Sequence, residues 1–291
     1  MVGLMRDFAI LVVDDEPLAR RRVVRLAQQL PWVGDVAQAG NVAQAAEWLA
    51  SRGCRDRVTI ATKVGADMGD GRKGLAPARI RDAVEDSLRR LRTDRIDLYQ
   101  AHYDDPDTPL PDVLGTFAEL ITAGKVRAIG ASNHTAARLA EALRVSAEHG
   151  LPRYESMQPQ YNLYDRAVYE DELEPLCVER GLGVISYFGL AKGFLSGKYR
   201  SSADLGQSPR GGGVAEYLNE RGMRILKALD QVAAEASAPP AQVALAWLIA
   251  RPSITAPIAS ATSPAQLADL VAAASLQLDA GAVQRLAEAS A

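Results

Sequence analysis

Lys63 and His102 are the side chains of this sequence whose type and position most directly suggest chemistry. Lys63 follows the run Val58–Thr62, which alternates β-branched and small residues as a buried strand does, and His102 holds the matching place after the apolar run Ile96–Ala101. A lysine delivered to a strand end is either an ion-pair partner or part of a site. Asp14 and Asp15 follow a third apolar run, Ala9–Val13. Two adjacent carboxylates make an incomplete magnesium site, which needs several oxygen ligands and usually a phosphate, so an ion pair with Lys63 across the strand ends is the better use for one of them. Cys54 and Cys177 are too few and too far apart for a metal cluster or a disulfide framework. Both read as ordinary helix or loop residues, and no metal is expected.

Strand-end residues need strands and helices to hold them. Eight short apolar runs alternate with stretches of helical period: Ala9–Val13, Val36–Ala39, Val58–Thr62, Ile96–Ala101, Val126–Ala131, Ser156–Gln160, Gly183–Ser186 and Ala256–Ile258. That alternation predicts repeated βα units around a parallel sheet, and eight is the number that closes a (βα)8 TIM barrel. Helices are marked from Pro17 (Ala19, Val23, Leu26 and Leu30 inward), after Asn41 (Val42, Ala45, Ala46, Leu49) and from Pro77 (Ile80, Val84, Leu88, Leu91). Two more follow, with Leu114, Phe117 and Leu120, then Leu139, Ala142 and Leu143, on their inner faces. The connection from Phe188 to about Tyr217 is long enough to be functional or mobile, and its triplet Gly211–Gly213 reads as a flexible lid more readily than as a phosphate cradle. His134 reads as surface polar, and His149 before Gly150 as a helix C-terminal residue favoured by the dipole.

With 291 residues, 48% hydrophobic and 24% charged, the chain can bury a large core and is neither disordered nor membranous. One α/β domain over 1–291 is the expectation. No uncharged run approaches the roughly 18 residues of a membrane span, and Asp7 interrupts the N-terminal apolar stretch, so a cytoplasmic location follows. A net charge of -3 with no basic stripe argues against nucleic acid as a partner.

The segment FAILVVDDEPLAR (Phe8–Arg20) followed by AGN (Ala39–Asn41) resembles the opening of a response-regulator receiver domain of the LytTR-type regulators, over about residues 5–50. In that family the acidic pair helps hold Mg²⁺ beside an aspartate that accepts phosphate at the end of the third strand. Lys63 stands there instead, so phosphoryl acceptance is not expected.

From about residue 51 to 291 the chain resembles the aldo-keto reductases. The matching pieces, in order, are IATKVG around Lys63, DLYQAHYDDPDTPL around His102, AGKVRAIGASNH, MQPQYNLYDR, YFGLAKGFLSGKYR and PIASATSPAQL. The resemblance implies a (βα)8 barrel that reduces aldehydes and ketones with NADP(H), NAD being the other possibility, and a small carbonyl compound as partner. Carbonyl reduction needs a hydride donor and an acid for the oxygen as it gains charge. The family's acid is a tyrosine whose pKa a lysine lowers, matched by Lys63, while a histidine matched by His102 orients the carbonyl. Ser132, Asn133 and Gln158 correspond to the residues that bond the carboxamide, and Tyr187 to the ring stacked on the nicotinamide. Leu190, Ser196 and Lys198 fall in the loop that grips the pyrophosphate; Ser260, Thr262, Gln266 and Asp269 fall where the adenosine end is met.

The chain departs from the family at its N-terminus. The family's aspartate and tyrosine lie at the end of the second strand and in the loop after it, and no tyrosine precedes Tyr99 here. Tyr103 adjoins His102 but is not expected to be the donor. The sequence therefore reads as a chimeric barrel, receiver-like in its first two βα units and reductase-like in the other six. Three functions follow in order: a nicotinamide-dependent oxidoreductase with weak or lost activity, a non-catalytic nucleotide-binding barrel, and a phosphorylation-responsive regulator.

Overall fold

The computed structural model describes residues 8–13, 33–39, 55–67, 71–207, 211–261 and 264–291. The helices expected from Pro17 and Asn41, the carboxylates Asp14 and Asp15, Cys54 and the expected seam at Ala50–Cys54 lie outside them. The chain forms two compact units, the first of Met1–Met157 with Thr262–Ala265 and the second of Gln158–Ala261 with Gln266–Ala291.

In the first unit, β1 (Phe8–Val13) runs parallel to β2 (Val33–Ala39), with Ala9 opposite Asp35 and Val13 opposite Ala39. The strands β3 (Ala61–Val64), β4 (Ile96–Ala101), β5 (Val126–Ser132) and β6 (Tyr154–Gln158) lie side by side in chain order. The pairs β3–β4 and β4–β5 are parallel, as βα repeats require.

The third strand begins later than the expected Val58–Thr62. The Ile60 N–H donates to the Asp97 carboxylate (2.9 Å), far along the chain, and the Arg55 guanidinium takes the Val58 carbonyl (3.2 Å). These groups are spent on side chains, so the ladder starts at Ala61 and Lys63 falls inside the strand.

Helices α1 (Pro77–Leu91), α2 (Leu110–Thr122) and α3 (Ala136–His149) follow β3, β4 and β5 in turn. Pro77 supplies a helical φ at the first turn of α1, where its missing N–H costs nothing. The α3 start is fixed by the Thr135 hydroxyl, which accepts from the Arg138 N–H (3.2 Å), and its end by Gly150 in the left-handed region (φ 63°). Of the expected inner faces, Ile80, Val84, Leu114, Phe117, Leu120, Leu139, Ala142 and Leu143 are buried, while Leu88 and Leu91 at the end of α1 are only half-buried. Each aliphatic side chain so covered is worth about 1.5–3 kcal/mol.

In the second unit, β7 (Gly183–Ser186) pairs parallel with β8 (Ala256–Pro257). A single wide turn, Val168–Leu173, leads into α4 (Glu174–Arg180). Four more helices follow: α5 (Glu220–Glu235), α6 (Pro240–Ile249), α7 (Pro264–Ala273) and α8 (Ala280–Ala289). Asn219 and Asp279 cap α5 and α8, accepting from the N–H of Gly222 (2.9 Å) and Ala282 (2.7 Å). Trp247 of α6 is fully buried with the guanidiniums of Arg166 and Arg251 each 5.6 Å from its ring.

The glycine triplet, read from sequence as a flexible lid, opens a short helical turn. Gly211–Tyr217 forms a 3-10 turn in which Val214 and Tyr217 are buried, and a side chain on Gly211 would overlap the Leu205 carbonyl. Glycine is there because two backbones meet. The Tyr217 hydroxyl then donates to Asp165 (3.1 Å), tying this turn to the loop after β6. No helix among the described residues is long and apolar enough to cross a membrane.

Candidate active site

Parallel pairing places side chains in rows, because partners in register share a sheet face. Lys63 is opposite Gln100, and Gln100 opposite Gly130, so these three form one row across β3, β4 and β5. Two residues on, toward the strand ends, His102 and Ser132 share that face one layer higher. Lys63 and His102 lie on one face within the first unit, close enough for the lysine charge to act on the imidazole.

Lys63 is half-buried and makes no ion pair among the described residues. Burial alone pulls its pKa below the ordinary lysine value. His102 is likewise partly buried, and its pKa is lowered first by burial and then by the Lys63 charge. The imidazole is thus held neutral at pH 7, the form that can donate one hydrogen bond and accept another. The Tyr103 ring stacks on it at 4.6 Å and 14°, with its own face half open to solvent. The pairing expected between Lys63 and Asp14 or Asp15 lies outside the described residues.

The loop after β5 is built around a strained residue. Asn133 sits at φ 54°, a left-handed conformation in which asparagine is among the least costly non-glycine residues. From there its side-chain amide donates to the His102 carbonyl (2.9 Å) and to the Ser132 hydroxyl (3.2 Å).

His134, expected at the surface, is 4% exposed. Its Nδ1 lies 2.8 Å from the Ser132 carbonyl, which only accepts, so Nδ1 carries the proton. That leaves Nε2 as a lone pair 3.9 Å from the Asp104 carboxylate, two acceptors facing each other, and no hydrogen bond forms. Asp104 is instead held by Arg138 (2.8 Å).

Asp105 anchors the loop after β3. It accepts from the Leu75 N–H (2.6 Å) and the Thr108 hydroxyl (2.8 Å), and Gly74 at φ 84° leaves the space its carboxylate occupies. Neither Asp105 nor Gln100 was singled out from sequence. The available signal was polar residues inside the apolar run IDLYQAHYDD, where hydrophobic ones would be cheaper to bury.

The second unit holds Gln158, Tyr187, Leu190, Ser196, Lys198, Ser260, Gln266 and Asp269. Gln158 is buried at the end of β6, and Tyr187, half-buried, follows β7. The Tyr187 N–H donates to the Pro159 carbonyl (2.9 Å), which fixes its backbone. Phe188, Ala191 and Lys192 all have positive φ (55°, 47° and 58°), and Gly189 packs so closely on Leu245 and Leu248 of α6 that a Cβ would crowd them. Leu190 is half-buried in this turn, and the Ser196 hydroxyl donates to the Gly193 carbonyl (2.7 Å), closing it. Lys198 is exposed, its ammonium 4.9 Å from the Tyr199 ring. Ser260 and Gln266 are exposed; Asp269 accepts from the Gln242 amide (3.0 Å), joining α7 to α6. Thr262 lies outside the described residues.

A cavity of about 460 Å³ in this unit opens at the start of β7, beside Cys177, Gly181 and Ser253. It is at the opposite strand end from Tyr187, away from the end where βα folds build active sites. Burial pushes the Cys177 thiol up to about 11, so it is unreactive at neutral pH, in keeping with its ordinary helical place.

A profile of the Aldo/keto reductase family matches residues 37–291. This chain belongs to the aldo/keto reductase family. It is 32% identical over 260 residues to the Protein tas of Escherichia coli K12, covering 79% of this chain and 74% of that protein. With the Uncharacterized oxidoreductase YrpG of Bacillus subtilis it shares 34% over 241 residues, 80% of this chain and 72% of the relative. The Probable aldo-keto reductase 1 of Glycine max is 30% identical over 243 residues, 81% and 67% respectively. The aldo/keto reductase match starts at 37, within β2, earlier than the boundary near 51 expected from sequence. Residues 37–50, assigned from sequence to the receiver-like segment, therefore belong to the reductase match.

Proposed function

We propose that this aldo/keto reductase family member binds NADP(H) and reduces the carbonyl of a small aldehyde or ketone, slowly, because its usual proton donor is absent. The observation that carries this reading is the placement of Lys63 and His102 on one face of adjacent strands, both with lowered pKa and the lysine without a counter-ion among the described residues. A buried ammonium without a partner is costly and serves best where a neighbouring group gains negative charge.

When bound, the nicotinamide would supply the hydride. The neutral His102 imidazole would donate to the substrate oxygen and orient it, while Lys63 would stabilise the charge that develops there. Ser132, Asn133 and Gln158 would hold the carboxamide, Tyr187 the ring face, and Lys198 with Leu190 and Ser196 the pyrophosphate. Ser260, Thr262, Gln266 and Asp269 would meet the adenosine end. No tyrosine stands between residue 37, where the family match begins, and Tyr99. Loss of a positioned acid removes about 10²- to 10⁴-fold in rate.

NADPH consumption with 4-nitrobenzaldehyde tests the reading. Slow turnover that disappears in Lys63→Met and His102→Ala supports it. Cofactor binding by fluorescence with no turnover would make the protein a nucleotide-binding barrel instead, and no binding at millimolar NADPH would sink both.

A further inference from the structure

The row that carries Lys63 holds a polar residue that the reaction above does not use. Gln100 lies in β4, every residue of which is buried, and is itself 0% exposed. Neither atom of its amide has a hydrogen-bond partner among the described residues. The Ser156 hydroxyl, on β6 and also buried, has none either. Gly130 stands between them: a Cβ there would overlap the Ser156 hydroxyl and come within 3.2 Å of Gln100 Cγ. Glycine is needed because the two polar side chains converge on its place. Lys63, Gln100, Gly130 and Ser156 therefore make a polar line across β3 to β6, one layer beneath His102 and Ser132.

Buried amides and hydroxyls are almost always satisfied, by protein or by ordered water, and a water bridging two groups is nearly as favourable as a direct bond. An apolar residue of similar size at position 100 would avoid the desolvation cost altogether. The amide is adjacent in register to the one described lysine of this face, whose ammonium lacks a partner.

We propose that Gln100 is a positioning residue for Lys63, its side-chain oxygen accepting from the ammonium through one buried water while its amide nitrogen engages the Ser156 hydroxyl. The amide holds the lysine upright beneath His102 without neutralising it, as a carboxylate would. The inference rests on the proposed function only for its consequence in catalysis; the lysine's proton affinity reads it directly. Of the described groups on the strands beside Lys63, His102 is the one that titrates on this face; β5 and β6 present Gly130, Ser132 and Ser156 there, and Asp14 and Asp15 lie outside the described residues.

The test is a pH titration of Lys63 by NMR after ¹³C-reductive methylation, its signal assigned by its loss in Lys63→Arg. Gln100→Met, which keeps size and removes the acceptor, lowers the Lys63 pKa by about half to one unit, and Gln100→Glu raises it by about one unit or more. Ser156→Ala moves it in the direction of Gln100→Met by less. Should Gln100→Met fail to fold, Gln100→Glu and Ser156→Ala decide. A Lys63 that titrates as in wild type in folded Gln100→Glu overturns the proposal. NADPH binding measured on the same samples keeps the two ideas apart: loss of binding counts against the reductase reading, an unmoved lysine against Gln100.

Discussion

The Asn133 side-chain amide donates to the main-chain carbonyl of His102 across 2.9 Å, and it reaches that carbonyl only because its own backbone is at φ 54°. One residue thus closes the loop after β5 onto the strand end that carries the histidine. Asn133→Ala loses the bond and keeps the left-handed backbone, so it should destabilise by about 1–3 kcal/mol. Asn133→Gly keeps only the loss of the bond and should be milder. Denaturant unfolding of the two variants checks the order; equal losses would mean that the backbone conformation contributes nothing.

His134 should make stability fall on mild acidification. Its pKa is lowered, first by burial, against the opposing pull of the Ser132 carbonyl and Asp104. The unfolded chain then binds a proton near pH 6.5 that the folded chain resists, so stability is full above about pH 6.5 and declines as pH falls toward the folded value. Unfolding free energies at pH 7.5 and 5.5 should differ in wild type and differ less in His134→Asn. A wild-type stability that is flat over this window would count against a buried neutral imidazole.

Asp97 is the most heavily committed carboxylate at the foot of the sheet. It is 9% exposed and receives Arg55 (2.8 Å), Arg127 (2.9 Å) and the Ile60 N–H (2.9 Å). Burial alone would raise its pKa, but the Ile60 N–H and the two guanidiniums outweigh it and hold the carboxyl below its usual value. Its contribution is present above the unfolded pKa of about 3.9 and is lost as pH falls through the lower folded value. Asp97→Ala strands the Arg55 charge and should cost about 3–5 kcal/mol, with β3 losing its start. Proteolysis near Val58–Ile60 would report that opening; a loss under 1 kcal/mol would show the network to be dispensable.

Gly74→Ala tests the loop after β3. The new methyl meets the Asp105 carboxylate at 2.8 Å, and the backbone is at φ 84°, so both strain and a displaced carboxylate follow. A destabilisation of about 1–3 kcal/mol is expected. In the double variant with Asp105→Ala the two costs should not add, because the second removes what the first displaces. Full additivity in a double-mutant cycle would show that Gly74 and Asp105 act separately.

Much of the candidate site was legible because strand-end chemistry leaves a local mark. An apolar run leading into Lys63 and another ending before His102 direct both residues toward the same end of adjacent strands, whatever the neighbours do. The ordered motifs from IATKVG onward likewise carry the family in the sequence alone. The start of β3 was not legible, since Val58–Ile60 has strand chemistry and its Ile60 N–H is taken by Asp97, a partner distant in sequence, while the nearby Arg55 takes the Val58 carbonyl. His134 misled for the same reason: a histidine in a polar ASNH loop looks exposed, and only packing beside Tyr154 and Asp104 buries it.

The sequence by itself therefore determined the repeat of βα units, the family and the identities of Lys63 and His102, because periodicity and motif order are properties of neighbours along the chain. Tertiary structure decided which polar groups are spent and which are not. Register alone sets Gln100 beside Lys63 and empties the place of Gly130 for Ser156, since side chains from separate strands share a row only after the strands have paired.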